Sequence, residues 1–244
     1  MYFHDGALVM KRSFISTGNE ELDSRIGGGI PIPSLLLIEG DHGTGKSVFI
    51  QQILFGGLRD GFKAYYITTE STIREFLLQS KRVSLDLTNY FLRGALKIFP
   101  VHIEGARWAK DIARSLLQIV SEFMKKTMED WDIFVLDSFS VLAVYANTNI
   151  VLDFLTVAKN VVSQDKVVIL AVHPGALSEE IMIRARSVCD GYIRLRSFEI
   201  GGMLIKLMEI VKLRGALGPV DSMIAFDIDP AFGIKILPLS LARA

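Results

Sequence analysis

The chain has 244 residues, half of them apolar, which is enough to bury a large core. Its 27 basic and 27 acidic residues cancel, which argues against a protein built to coat nucleic acid. The one cysteine, Cys189, excludes a disulfide framework and reads as a small buried apolar residue, and no apolar run is long enough to span a membrane.

No linker, repeat or low-complexity tract divides the sequence, so one domain is expected over 15–244, with 1–14 as an N-terminal extension. The N-terminus lacks a signal-peptide pattern, and Met10 ahead of Lys11-Arg12 offers an alternative start. Ile15 to Asp23 is expected to form a short capped helix ended by Gly27-Gly28-Gly29, and Ile30-Pro31-Ile32-Pro33 leads into the first core strand. That strand, Leu35-Leu36-Leu37-Ile38, precedes Gly40-Asp41-His42-Gly43-Thr44-Gly45-Lys46-Ser47, and an apolar helical stretch runs on to about Arg59. The order strand, G-x-x-x-x-G-K-S, helix is the context a phosphate-binding loop needs. Glycines let backbone N–H groups close around phosphate oxygens at a helix N-terminus; Lys46 is placed for the β- and γ-phosphates and the Ser47 hydroxyl for Mg²⁺. The expected cofactors are ATP and Mg²⁺. A turn that only makes a tight corner is the alternative, and the flanks on both sides disfavour it.

Ala64 to Glu70 is the next strand, with Thr68, Thr69 and Glu70 at the end that faces the ligand crevice of a parallel sheet. Glu70 is a candidate to polarise water for attack on a γ-phosphate; the competing role is an acidic cap for a helix from about Thr72 to Ser80. Ala95 to Ile103 is expected as a strand. Ala106 to Met128 is expected as an amphipathic helix with Ala109, Ile112, Ala113, Leu116, Val120, Phe123 and Met124 as its packing stripe.

Trp131 to Ser138 is a buried parallel strand ending in Asp137, the expected acidic partner of Mg²⁺, against the alternative of a turn cap. A helix from Ile150 to Ser163 and a strand from Val167 to Val172 follow, and the strand runs into His173-Pro174-Gly175. His173 is weighed as a γ-phosphate sensor and as a loop residue, with the loop residue preferred. After a short helix, Glu179 to Arg186, come strands from Asp190 to Leu195, with Arg194 and Arg196 on one face, and from Leu204 to Arg214. Counting by twos puts Lys206, Met208, Ile210, Lys212 and Arg214 on one face of the second strand. Lys212 and Arg214 then form a basic pair. It either discourages edge pairing or reaches the nucleotide of a neighbouring subunit. Strands near Met223 to Ile228 and Gly233 to Leu237 close the chain. The expected class is α/β, a mainly parallel sheet flanked by helices with an antiparallel extension at the C-terminal end.

These segments together resemble the RecA-fold P-loop ATPases of the KaiC type. Thr17 to Asp23 with Gly28-Gly29-Ile30-Pro31 is similar to that family's lead-in. Thr69-Glu70 falls where it keeps a catalytic Glu pair, and Leu136-Asp137-Ser138 is similar to its Walker B. Val211-Lys212-Leu213-Arg214-Gly215 is similar to its K-x-R-G element, and Gly233 to Pro238 to its closing strand. Within the family, the single short domain and the loop Glu39 to Lys46 are most similar to the archaellum accessory branch. One position departs from the pattern: Glu70 is followed by Ser71, so the second carboxylate is a hydroxyl. That implies slow or absent hydrolysis and marks Ser71, with Thr68 and Thr69, for phosphorylation. The resemblance further implies an ATP-binding regulator of the archaellum motor complex, forming hexameric rings. It would touch the motor ATPase at the cytoplasmic side of the membrane, with Lys212 and Arg214 on the adjacent subunit's nucleotide. A KaiC-like autokinase and a recombinase-type, DNA-dependent ATPase are the competing functions.

Overall fold

The computed structural model describes residues 3–4, 7–8, 12–101, 110–200 and 203–238. Two short strands, β1 (Phe3–His4) and β2 (Ala7–Leu8), pair with each other. β3 (Phe14–Ile15) pairs with β4 (Ile30–Pro31) around helix α1 (Glu20–Arg25). The main sheet begins at β5 (Ser34–Gly40), and helix α2 (Lys46–Arg59) follows the glycine loop. Next come β6 (Ala64–Thr68), α3 (Ile73–Arg82), α4 (Thr88–Leu92), β7 (Leu96–Pro100) and α5 (Lys110–Lys126). They are followed by β8 (Ile133–Asp137), α6 (Phe139–Ala143), α7 (Thr148–Val162), β9 (Val167–Val172) and α8 (Glu179–Val188). Four strands end the fold: β10 (Gly191–Ile200), β11 (Met203–Leu213), β12 (Met223–Asp229) and β13 (Gly233–Ile236).

The nine strands lie in the order β13-β12-β11-β10-β5-β9-β8-β6-β7. From β10 to β7 every pairing is parallel, and from β10 to β13 every pairing is antiparallel, which is the expected mixed sheet. Alternation along β5 explains the layering. Leu36 and Ile38 face a core shared with α2 residues such as Phe49 and Ile53, while Leu35 and Leu37 face one shared with α7 and α8. Both faces are covered, so all seven residues of β5 are buried. On α5, Val120 and Met124 are buried and Leu116 and Phe123 pack beside them, as the stripe requires. Ala109 and the side chains of Ile112 and Ala113 fall outside the described residues.

Four local expectations are corrected. The first helix starts at Glu20, not Ile15, because Asn19 caps it by accepting from the Leu22 N–H, while Ile15 is in β3. The strand expected over Ala95 to Ile103 is the shorter Leu96–Pro100, and 102–109 lie outside the described residues. The helices α4 and α6 were not anticipated, since five residues carry too little periodicity to detect.

The fourth correction concerns β11. Ile193 pairs with Ile210 but Tyr192 pairs with Lys212, so Val211 is an extra residue, a β-bulge. Met208 and Ile210 face the α2 core. Beyond the bulge the alternation is inverted, and Lys212 lies with Tyr192 on the opposite face, against α8. Lys212 therefore does not share a face with Lys206, Met208 and Ile210.

Candidate functional site

The chemistry expected from sequence gathers at one edge of the parallel strands, and the register shows why. Thr68 pairs with Asp137, Leu136 with Leu170, and Glu39 with Val172. The C-terminal ends of β5, β9, β8 and β6 are therefore level. β9 lies between β5 and β8, so its next residue, His173, falls between the glycine loop and Asp137.

The loop is closed by its own bonds. The Thr44 hydroxyl donates to the Asp41 carbonyl at 2.8 Å, and Gly45, at φ +93°, turns the chain into α2. A Cβ at Gly45 would also lie 3.1 Å from the end of the Ile228 side chain of β12, so the conformation disfavours a side chain and the Ile228 side chain would have to shift for one. No side chain caps the first turn of α2, leaving its N–H groups directed into the loop. A cavity of about 370 Å³ opens above it, lined by Asp41, His42, Gly43, Lys46, Ser47 and Glu70 among others.

Lys46 is buried, and its ammonium donates to the Gly40 carbonyl at 3.2 Å. It also lies 3.0 Å from His173 Nε2. An ammonium can only donate, so Nε2 is the acceptor and the ring proton is on Nδ1. Nδ1 is 3.2 Å from both the Ser138 and the Ser140 hydroxyl oxygens, which accept it. Burial, then the neighbouring Lys46 charge, pushes the His173 pKa down and keeps the ring neutral. His173 thus lies in the loop directly after β9, as expected, with its ring held against Lys46, Ser138 and Ser140.

Asp137 is held by two donors on one oxygen. The Tyr66 hydroxyl donates to Oδ2 at 2.6 Å and the Ser47 hydroxyl to the same atom at 3.2 Å. The other oxygen, Oδ1, is buried with no partner among the described residues. Burial raises the Asp137 pKa, opposed by the Tyr66 bond and the Lys46 charge. The Tyr66 pKa is raised well above its ordinary value, by burial first and the Asp137 charge second, so Tyr66 remains a donor. Asp137 does not cap α6: the cap position is Ser138.

Glu70 does not cap α3 either. Thr72 does, in a reciprocal pair with Glu75, which leaves the Glu70 carboxylate exposed beside the loop, 3.5 Å from His173 Nε2. The Thr68 hydroxyl accepts the N–H groups of Glu70 and Ser71 and lies 3.0 Å from the Ser71 hydroxyl, which fixes this turn. The Thr69 hydroxyl accepts the Ser138 N–H and ties the ends of β6 and β8 together.

Lys212 and Arg214 lie elsewhere. Lys212 is level with Tyr192 and hence with Leu37, three residues and about 10 Å before Gly40 along the sheet. Its ammonium donates to the carbonyls of Arg186, Ser187 and Cys189 at the C-terminal end of α8. Arg214 is exposed at the same edge. Neither side chain joins the loop of its own chain.

A family profile described as "ATPase: KaiC" matches residues 15–240. The chain is 40% identical over 230 residues to the archaeal flagellar ATP-binding protein FlaH of Sulfolobus acidocaldarius, covering 94% of this chain and 99% of that one. It is 32% identical to the FlaH of Methanocaldococcus jannaschii over 96% of this chain and 99% of that one. The crystal structure of the flagellar accessory protein FlaH from M. jannaschii matches with a TM-score of 0.76 at 31% identity, over 89% of this chain and 95% of the other. A KaiC-like protein from Pyrococcus horikoshii matches with a TM-score of 0.72 at 22% identity over 92% and 99%, a likeness of fold.

Proposed function

Since the chain belongs to the KaiC ATPase family, in the branch of archaeal flagellar ATP-binding proteins, we propose that it is an ATP-responsive regulator of the archaellum motor. The observation that carries the nucleotide part is the buried, partnerless Asp137 Oδ1 beside the Ser47 hydroxyl. A carboxylate oxygen left without a donor in the interior is costly unless a cation or a cation-bound water completes it. The residues present therefore fit Mg²⁺, with Ser47 and Asp137 holding it and Tyr66 fixing Asp137. The loop from Gly40 to Ser47 and the first turn of α2 fit a triphosphate, which Lys46 would engage on leaving His173. When bound, Mg²⁺ neutralises charge between the phosphates.

Turnover is slow or absent in this reading. One exposed carboxylate, Glu70, is placed to orient water, and its neighbour Ser71 is a hydroxyl tied to Thr68. Occupancy rather than hydrolysis then sets the state of the protein, through the differential affinity of two arrangements for nucleotide. Arg214 is exposed at the opposite strand edge, so it is available only to a neighbouring copy in a ring, the hexamer expected of the family, while Lys212 braces α8 beside it. The motor ATPase of the archaellum is the proposed partner, and peripheral attachment at the cytoplasmic face of the membrane follows from that partner. Among the described residues no helix is long and apolar enough to cross a membrane.

The test combines equilibrium ATP binding, solution mass and steady-state hydrolysis on the full chain. Tight Mg²⁺-dependent binding, a larger assembly with ATP than with ADP, and turnover far below the ordinary enzyme range of about 1–1000 s⁻¹ are expected. Turnover within that range, lost in Glu70→Gln, overturns the regulator; an assembly size indifferent to nucleotide overturns the ring.

A further inference from the structure

His42, Glu70 and His173 each offer a ligand atom, and the three atoms lie within 4.8 Å of one another. The imidazoles of His42 and His173 face each other with ring centroids 4.6 Å apart. We propose that these three residues bind one transition-metal ion of the zinc class, in competition with the Lys46 ammonium.

The chemistry of the donors selects the ion. Two imidazoles and one carboxylate with an open fourth position suit Zn²⁺ and its neighbours, whereas Mg²⁺ prefers oxygen and goes to Ser47 and Asp137. With metal–ligand distances of about 2.0–2.1 Å, the ligand atoms of a tetrahedral site stand about 3.3 Å apart. The pair His173 Nε2 and Glu70 Oε1 is already at 3.5 Å. His42 and Glu70 are exposed and lie on loops, so they can close the remaining gap.

His173 is built as a ligand should be. Its Nδ1–H is held by the Ser138 and Ser140 hydroxyls, which fixes the tautomer and aims the Nε2 lone pair into the cluster. That lone pair already accepts from a cation, Lys46. A metal ion would take the same lone pair, and the ammonium must withdraw toward the Gly40 carbonyl and the phosphate position. The site therefore does not depend on the nucleotide reading; only its consequence, a coupling between metal and nucleotide, does.

The experiment titrates the full-length chain with cobalt(II) alone and follows the intense visible absorption of four-coordinate cobalt. One equivalent is expected to saturate the signal. His42→Ala and Glu70→Gln, both at exposed positions, should each weaken binding at least tenfold, while the double variant His4→Ala/His102→Ala, which removes the other two histidines, should not. Lys46→Met removes the competing cation and is expected to tighten cobalt binding at least threefold. ATP binding, measured separately without cobalt, should be lost in the same variant. An absorption unchanged in His42→Ala, or absent in the parent chain, overturns the site; cobalt affinity unchanged or weakened in Lys46→Met overturns the competition. Failure of ATP binding in the parent chain would count against the nucleotide reading and leave the cobalt result standing.

Discussion

Two lysines, at opposite edges of the same sheet, are bonded in opposite ways. Lys212 gives its protons to three carbonyls at the end of α8. Beside it Asp190 takes the Lys159 ammonium on both oxygens and the Leu35 N–H. Lys46, at the other edge, has one carbonyl and one imidazole nitrogen, and Asp137 has an oxygen with no partner among the described residues. The Lys212 and Asp190 groups are fully bonded, and the Lys46 and Asp137 groups are left incomplete. Saturated polar groups stabilise a fold; incomplete ones are positioned for a ligand.

Substitutions can break that contrast. The largest effect is expected at the incomplete edge: Lys46→Ala should lower ATP affinity by at least ~100-fold, about 2.7 kcal/mol, by isothermal titration, with little change in melting temperature. Asp190→Ala should do the reverse. It strands the buried Leu35 N–H and the Lys159 ammonium, for about 2–3 kcal/mol of stability in denaturant titration, with ATP affinity within twofold of the parent. If Asp190→Ala lowered affinity as much as Lys46→Ala, the two edges would not be independent. Tyr66→Phe sharpens the contrast within the site. Losing the hydroxyl that fixes Asp137 should weaken Mg²⁺-dependent binding by about 1 kcal/mol, and Mg²⁺-independent binding should not move.

The smallest effect is a slope. The His173 pKa is lowered on folding from its ordinary 6.5. The unfolded chain thus binds this proton more readily, so stability is full above about pH 6.5 and declines as pH falls toward the folded value. His173→Gln should flatten that part of the stability-against-pH profile; an unchanged slope would show that the ring is not buried against Lys46.

The loop, Asp137 and the succession of strands β5 to β9 along the chain were legible because short-range patterns encode them: a glycine spacing, and buried apolar runs that end in polar residues. Tyr66 was not, since an aromatic inside an apolar strand looks like core until Asp137 is placed beside its hydroxyl. The neighbours of His173 were hidden for a topological reason. No local signal says that β9 inserts between β5 and β8, and that insertion alone brings the ring to Lys46. The face of Lys212 was misread because counting by twos assumes an unbroken ladder.

Val211 has a half-exposed side chain and belongs to neither core. Its presence is another matter. Deleting it would leave Ile210 opposite Ile193 and Lys212 opposite Tyr192, each on its present face, and would remove the bend and added twist that the extra residue gives β11. Val211 therefore sets the local curvature of β11, not the faces its neighbours present.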